Sequence, residues 1–255
     1  MVPALICFFL LGTVVGSFLN VAMDKMLHGR SLLGRSHCDY CRKALTPWDL
    51  VPILSYVILR GRCRYCKRKI TAQYPIVEFI SGVMFMTVFY FQVLNSPFDG
   101  VKIVYLILIS AVLLVVATVD FRYYLIPTTL VFAASLVALF YNFFFFGPTQ
   151  FAQYVFAAFV AAAFFGAIVL ITRGRGMGSG DIVLAFLIGM VLGFSQVILA
   201  IFMAFVIGAV VAVILVFAGR KKFRQAIAFG PFLILGFYVA LWFYQPVTAW
   251  YWRLF

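Results

Sequence analysis

Two sets of residues in this apolar chain have types and spacing that could do chemistry. The first is a pair of C-x-x-C motifs, C-D-Y-C at 38–41 and C-R-Y-C at 63–66, with 21 residues between them. Each pair can grip one tetrahedral ion from a tight turn, and the intervening segment closes a four-sulfur site of the kind that suits zinc. Four unrelated thiols or two disulfides are the alternative, which a reducing compartment and the matched spacing disfavour. With Cys38, Cys41, Cys63 and Cys66 all bound, no position is left for a substrate water, so the expected zinc is structural. His37 reads as a surface residue. His28 and Cys7 have no partner in sequence, and Cys7 reads as a small core residue of an apolar span.

The second set is Asp120, in ATVDFRYYLIPTT, and Asp181, which closes G-R-G-M-G-S-G-D at 174–181 before a long apolar run. A carboxylate at the centre of a membrane helix costs about 2.5–3.5 kcal/mol on insertion scales, so an acid inside a span normally has a task. Taken singly, each is also a plausible solvated cap, and Asp181 has the position of a helix N-terminal residue favoured by the dipole. Taken together they are two of only seven acids in the chain. Two neighbouring carboxylates cannot both ionise easily, so they share a proton and divide into an acid and a base. Such a pair can activate a water against a peptide carbonyl and protonate the leaving amine. Gly178 and Gly180, lacking side chains, would let an extended substrate strand approach beside Asp181. The glycine spacing lacks the strand and βαβ context of a dinucleotide loop.

The elements that must position these groups are membrane helices. The chain has 255 residues, 66% hydrophobic and 11% charged, with a mean hydropathy of +1.12. That lies far above the roughly 45–50% apolar share of soluble domains. Spans are expected near 3–22, 76–94, 102–120, 125–146, 151–171, 182–195, 196–218 and 228–244, with Ser195-Gln196 separating the sixth from the seventh. The fold expected is an all-α polytopic membrane protein of about eight transmembrane helices. Its parts are a first helix at 1–22, a small cytoplasmic zinc-binding insert at 23–75, and a membrane core at 76–255 that holds both aspartates. The first span carries no basic residue ahead of its apolar core and no Ala-x-Ala site after it, so it is expected to stay as an anchor. The insert has too few large apolar side chains for much of a core, and metal would supply its fold.

Charge orients the spans. Of the 20 Lys and Arg, 11 fall between Lys25 and Lys69, and Arg122, Arg173, Arg175, Arg220, Lys221, Lys222 and Arg224 lie in later connections of the same side. The positive-inside rule then puts the N-terminus outside and both aspartates at the cytoplasmic boundary. A net charge of +13 also suits nucleic acid, but charges packed at span ends meet anionic lipid headgroups, so membrane lipids are expected as partners and nucleic acid is not.

In their order along the chain, several motifs resemble the type IV prepilin peptidases, a family of membrane aspartic proteases. They are GSFLNV at 16–21, SHCDYC at 36–41, RGRCRYC at 60–66, YPIVE at 74–78, Asp120 with Ile126-Pro127, GSGD at 178–181 as the family's GxGD, and FGPFLILG at 229–236. The resemblance implies Asp120 and Asp181 as the catalytic pair and the four cysteines as zinc ligands. Pro127 joins Gly178, Gly180 and Glu78 as expected substrate contacts. The family's substrates are prepilins and pseudopilins of type IV pilus and type II secretion systems, cut after a short basic leader at the cytoplasmic face of the inner membrane, usually between Gly and Phe. Members with the long cysteine-bearing insert often methylate the new N-terminus with S-adenosylmethionine, and the resemblance implies that second activity here. The chain departs from the family at AMDKM, Arg122, Thr128 and Val183, where an apolar pair with Tyr-Arg, an acid, an acid or amide, and a Lys are usual. Asp24, Asp49 and Glu78 are the acids expected to meet a basic leader. Two other classes stay open on the residues alone: a zinc-dependent membrane hydrolase whose aspartates bind metal, and a transporter or assembly scaffold using them as an ion relay. Small residues at Gly16-Ser17 and Ala161-Ala162-Ala163 and a kink at Pro231 fit any of the three.

Overall fold

Apolar runs this long must satisfy their backbone internally, and among the described residues the chain is helical with no strand. The computed structural model describes residues 1–27, 36–38, 40–95, 99–174, 176–219 and 227–253. His28, Arg175 and the basic run at 220–224 therefore lie outside the described residues.

The helices are α1 (Val2–Leu27), α2 (Leu54–Ile58), α3 (Gln73–Asn95), α4 (Gly100–Tyr123), α5 (Thr128–Phe145), α6 (Pro148–Ile171), α7 (Ser179–Leu192), α8 (Phe194–Phe217) and α9 (Gly230–Trp252). Seven of them are long and apolar enough to cross a membrane. The eighth apolar helix, α7, has 14 residues and is ~21 Å long at ~1.5 Å per residue, short of the ~30 Å hydrocarbon core. It is the most enclosed helix of its unit: eight of its 14 residues are buried, against three of the 24 in α8. A helix covered by protein need not match the bilayer. The break before α8 falls at Gly193 rather than at Ser195-Gln196. There φ is +77°, a conformation glycine adopts without strain, and an added Cβ would stand 3.1 Å from the Tyr154 ring.

The chain forms two compact units, Met1–Val115 and Val116–Phe255, with their boundary inside α4. In the first unit α1 lies against α3 through small residues. A Cβ on Gly12 would come 2.6 Å from the Ser81 carbonyl oxygen, and one on Gly16 would come 2.9 Å from Glu78 Cα. This small-xxx-small spacing lets two backbones approach where lipid offers no hydrophobic drive. Phe8 stacks on Phe89 with ring centroids 4.3 Å apart, and buried Asn20 donates to the Tyr74 carbonyl at 3.1 Å. Cys7 is exposed on α1, not part of a core, because α1 covers only one face with protein. α1 also continues through Asp24 and Lys25 to Leu27, five residues beyond its expected end.

In the second unit α7 packs against α5, α6, α8 and α9. Gly189 admits α6, since a Cβ there would sit 2.7 Å from Ala157 O and Ala158 Cα. Asn142 of α5 donates to the Met190 carbonyl at 2.7 Å, pinning α5 to α7. Of the expected alanine stripe only Ala161 is fully buried; its partners facing inward are Ala157 and Ala158. Pro231 does not kink a span. α9 begins at Gly230, so Pro231 occupies the first turn, where its missing N–H has no partner to lose.

Candidate active site and metal-binding cluster

The cysteine cluster is built from two copies of one turn. Cys38 N–H donates to Lys43 O and Arg42 N–H to Cys38 O; 25 residues on, Cys63 N–H donates to Arg68 O and Lys67 N–H to Cys63 O. Short antiparallel bridges, His37 with Ala44 and Arg62 with Lys69, flank the two turns. Arg42 and Lys67 both take a left-handed backbone, at φ +55° and +58°. The turns also exchange cations: Lys43 lies over the Tyr65 ring at 5.2 Å and Arg68 over the Tyr40 ring at 4.7 Å. Each copy thus grips the other in the same way, as two parts related by a local two-fold would.

Between the turns the four Sγ atoms of Cys38, Cys41, Cys63 and Cys66 lie within 4.8 Å of one another, and none is in a disulfide. Cys38 and Cys66 Sγ are 3.9 Å apart, close to the ~3.8 Å edge of a tetrahedron with ~2.3 Å metal–sulfur bonds. The donor set therefore fits one tetrahedral metal ion. Backbone N–H groups of Cys66 and Tyr65 hold the Cys63 thiol down to about 7, whereas burial pushes Cys38 up to about 11. If all four ionise, sulfurs this close would need a cation to share. His37 is exposed, as expected of a residue outside the ligand set.

The expected leader acids Asp49 and Glu78 already have partners. Asp49 accepts from Arg64 Nε at 2.6 Å and from Thr46 Oγ1 at 2.7 Å. Burial opposes its charge, yet the hydrogen bonds from Thr46 and Arg64 hold Asp49 below the usual carboxylate range. Glu78, buried in the second turn of α3, accepts from Ile53 N–H at 2.7 Å and from the Ser17 hydroxyl. Ile53 stands at φ +59°, costly for a β-branched residue, so Glu78 caps a strained start of α2 and ties the insert to α1 and α3. The sequence carried no local sign of this contact.

In the second unit the two aspartates come from helix ends. Asp120 sits in the last turn of α4, which Tyr124 closes at φ +56°. Its Oδ2 accepts the Gly230 N–H at 2.9 Å, from the start of α9. Asp181 is the third residue of α7, and its Oδ2 accepts the Gly178 N–H at 3.1 Å. The solvated-cap reading is half right: Asp181 does cap α7, but it is 6% exposed and Asp120 5%. The two carboxylates lie close enough for Asp181 to feel the charge of Asp120. Asp181 Oδ1 is buried with no hydrogen-bond partner among the described residues. One free oxygen beside a second carboxylate is the arrangement a shared proton and a water require.

The glycines before Asp181 differ from one another. At Gly180 a Cβ would stand 2.8 Å from Ile126 Cβ, so this glycine admits the 124–127 connection that holds Pro127. At Gly178 a Cβ would meet Asp181 Oδ2 at 3.6 Å and Gly180 N at 4.0 Å, ordinary contacts that leave room beside the carboxylate. Gly230 is the residue that reading by position missed. It lies 110 residues from Asp120, and its only sign was its place in the FGPFLILG motif.

Comparison with known proteins matches both units. Residues 10–92 match the Bacterial Peptidase A24 N-terminal domain, and residues 107–213 match the Type IV leader peptidase family. A Prepilin leader peptidase/N-methyltransferase of Bacillus subtilis is 30% identical, with 95% of this chain and 96% of that protein covered. Proteins of the same name from Burkholderia pseudomallei and Pseudomonas aeruginosa are 31% and 27% identical, over 92% and 96% of this chain and 84% and 92% of theirs. No solved structure matches. With near-full coverage in both directions, the chain belongs to the type IV leader peptidase family.

Proposed function

We propose that this chain is a membrane aspartic endopeptidase that removes the short basic leader from prepilins or pseudopilins at a Gly-Phe type bond. The observation that carries the reading is the pair Asp120 and Asp181, both buried, close enough for Asp181 to feel the charge of Asp120, and each held by one backbone N–H. With one proton between them, the ionised carboxylate takes a proton from water as its oxygen attacks the scissile carbonyl. The protonated carboxyl then gives its proton to the leaving amine, so the pair ends with the one proton it began with. Gly178 offers the open backbone beside Asp181 for an extended chain, and Pro127 enters the same site through Ile126 and Gly180. The excess of Lys and Arg in alternate connections supports a cytoplasmic site in the inner membrane of a bacterium.

The four thiols are assigned to structural zinc, with Cys38, Cys41, Cys63 and Cys66 as its ligands. All four donors are used, which removes the ground for a zinc-borne hydrolysis. The names of the relatives support a second activity, methylation of the new N-terminus from S-adenosylmethionine. The cavity beside the cluster is lined by Arg60, Arg62 and Lys67, and three cations do not suit a sulfonium donor.

Purified protein in detergent, given a peptide with a basic leader, Gly-Phe and an apolar helix, is expected to cut at Gly-Phe and, with S-adenosylmethionine, to add a methyl mass to the product. Absence of the cut would sink the peptidase reading, and a cut without the methyl mass would remove only the second activity.

A further inference from the structure

The insert carries a surface that borders the metal cluster at Cys63 and whose exposed apolar and basic side chains neither that cluster nor the aspartate pair uses. Helix α2 turns Leu54, Val57 and Ile58 outward at 57%, 63% and 68% exposure, and this i, i+3, i+4 spacing puts them on one face. Trp48, in the turn just before α2, is 78% exposed. Directly after α2 the chain bends at Arg60 and Gly61 and opens a cavity of about 320 Å³ lined by Leu59, Arg60, Arg62, Cys63 and Lys67. Among the described residues the insert's acid Asp49 is taken by Arg64, and no ion pair engages Arg60, Arg62 or Lys67.

The height of this surface is fixed by the Ile53 to Glu78 hydrogen bond. Glu78 is the sixth residue of α3, ~8 Å inside the end of a spanning helix, so α2 starts level with the first turns of that span. At that depth an apolar helical face beside an aromatic residue and a cationic cavity meets acyl chains and phosphates together. We propose that this face of the insert binds anionic phospholipid, with Leu54, Val57, Ile58 and Trp48 in the acyl boundary and the phosphate seated in the Arg60, Arg62 and Lys67 cavity. Long basic side chains can lie along the apolar surface while their heads reach that phosphate. The inference is independent of the peptidase reading.

The test uses the full chain with Trp242→Phe, Trp250→Phe and Trp252→Phe, so that Trp48 alone reports. It is placed in nanodiscs of phosphatidylglycerol and phosphatidylcholine in which one or the other is brominated on its acyl chains. Brominated phosphatidylglycerol is expected to quench Trp48 more strongly than brominated phosphatidylcholine at equal share. The combined change Arg60→Gln, Arg62→Gln and Lys67→Gln should equalise them. Local enrichment of the anionic lipid should fall roughly fivefold per cation lost. No quenching, equal quenching in the parent, or loss of quenching on adding a substrate-type peptide would overturn the proposal, the last by giving the face to a protein partner. Millimolar glycerol phosphate that abolished the lipid preference would also overturn it, in favour of a soluble phosphate. Should the tryptophan changes harm folding, native mass spectrometry of protein with all its tryptophans compares phosphatidylglycerol retained with and without the three Gln changes. Equal retention would refute the idea there too.

Discussion

The thiol cluster hangs on two short turns, at 36–45 and 61–70, whereas the aspartate pair hangs on the ends of three helices, α4, α7 and α9. In the first, the same hydrogen bonds occur twice and the copies clasp each other's tyrosines, yet Gly61 and Cys63 are the only buried residues described between 28 and 72. In the second, the carboxylates sit beside α7, whose Leu184, Leu187 and Ile188 are fully enclosed. On the proposed reading one site takes its shape from a metal ion, and the other takes its shape from packing. Sensitivity to metal and sensitivity to added methyl groups should therefore separate cleanly between the two.

Metal loss gives the largest contrast. Structural zinc contributes an apparent ~10–16 kcal/mol to small metal-dependent folds. Cys38→Ser or exhaustive chelation should unfold the insert, seen as loss of amide protection across 36–70, while protection in α7 persists. Because thiols must lose protons to bind, metal release should become easier as pH falls. Joint loss of protection in α7 would break the contrast.

Gly230→Ala comes next. The new Cβ would stand 2.6 Å from Asp120 Oδ2, and a carboxylate can swing away more easily than a helix can move. Cleavage should fall by roughly 10²-fold, the usual penalty for a ~1 Å misplacement, with a small change in Tm. A large Tm loss with intact specific activity would mean that Gly230 serves packing alone.

The glycines of 178–180 sharpen the picture further. Gly180→Val presses on Ile126 and should cost about 1–3 kcal/mol of stability, whereas Gly178→Ala makes only ordinary contacts and should cost well under 1 kcal/mol in the folded protein. Any activity loss in Gly178→Ala at normal Tm then reports substrate approach. Equal stability losses would contradict the placement of Ile126.

Asp49 gives a small, pH-dependent effect. Its pKa is held low, so its contribution is present above the ordinary carboxylate pKa and is lost as pH falls through the depressed value. With Arg64 half exposed, Asp49→Asn should cost no more than about 1 kcal/mol in the insert at neutral pH. The difference from wild type should vanish in acid, and an undiminished difference there would point to packing instead of charge.

Much of this was legible because local spacing dictates local geometry. Two matched C-x-x-C pairs favour one shared centre over two disulfides, and Asp181 after glycine at an apolar run reads as a helix start. The repeat C-x-Y-C followed by basic residues stands in the sequence, but the matched hydrogen bonds of the doubled turn appear only in the structure. What stayed hidden depends on contacts between distant segments. Nothing near Glu78 tells that its partner is a main-chain N–H at Ile53, and nothing near Asp120 points 110 residues ahead to Gly230. Gly193 was passed over because a single glycine in a continuous apolar run looks like helix interior until its positive φ is seen. Pro231 misled for the complementary reason: whether proline breaks or begins a helix depends on where the helix starts.

The central claim is that Asp120 and Asp181 act as one proton-sharing unit. The most direct measurement is cleavage of a prepilin-type peptide by wild type, Asp120→Asn, Asp181→Asn and the double variant, each shown to be folded by intact amide protection in α7. The account predicts that each single change abolishes cleavage and that the double change costs no more than either alone, as expected for groups acting as a unit. Normal cleavage by either single variant would contradict it.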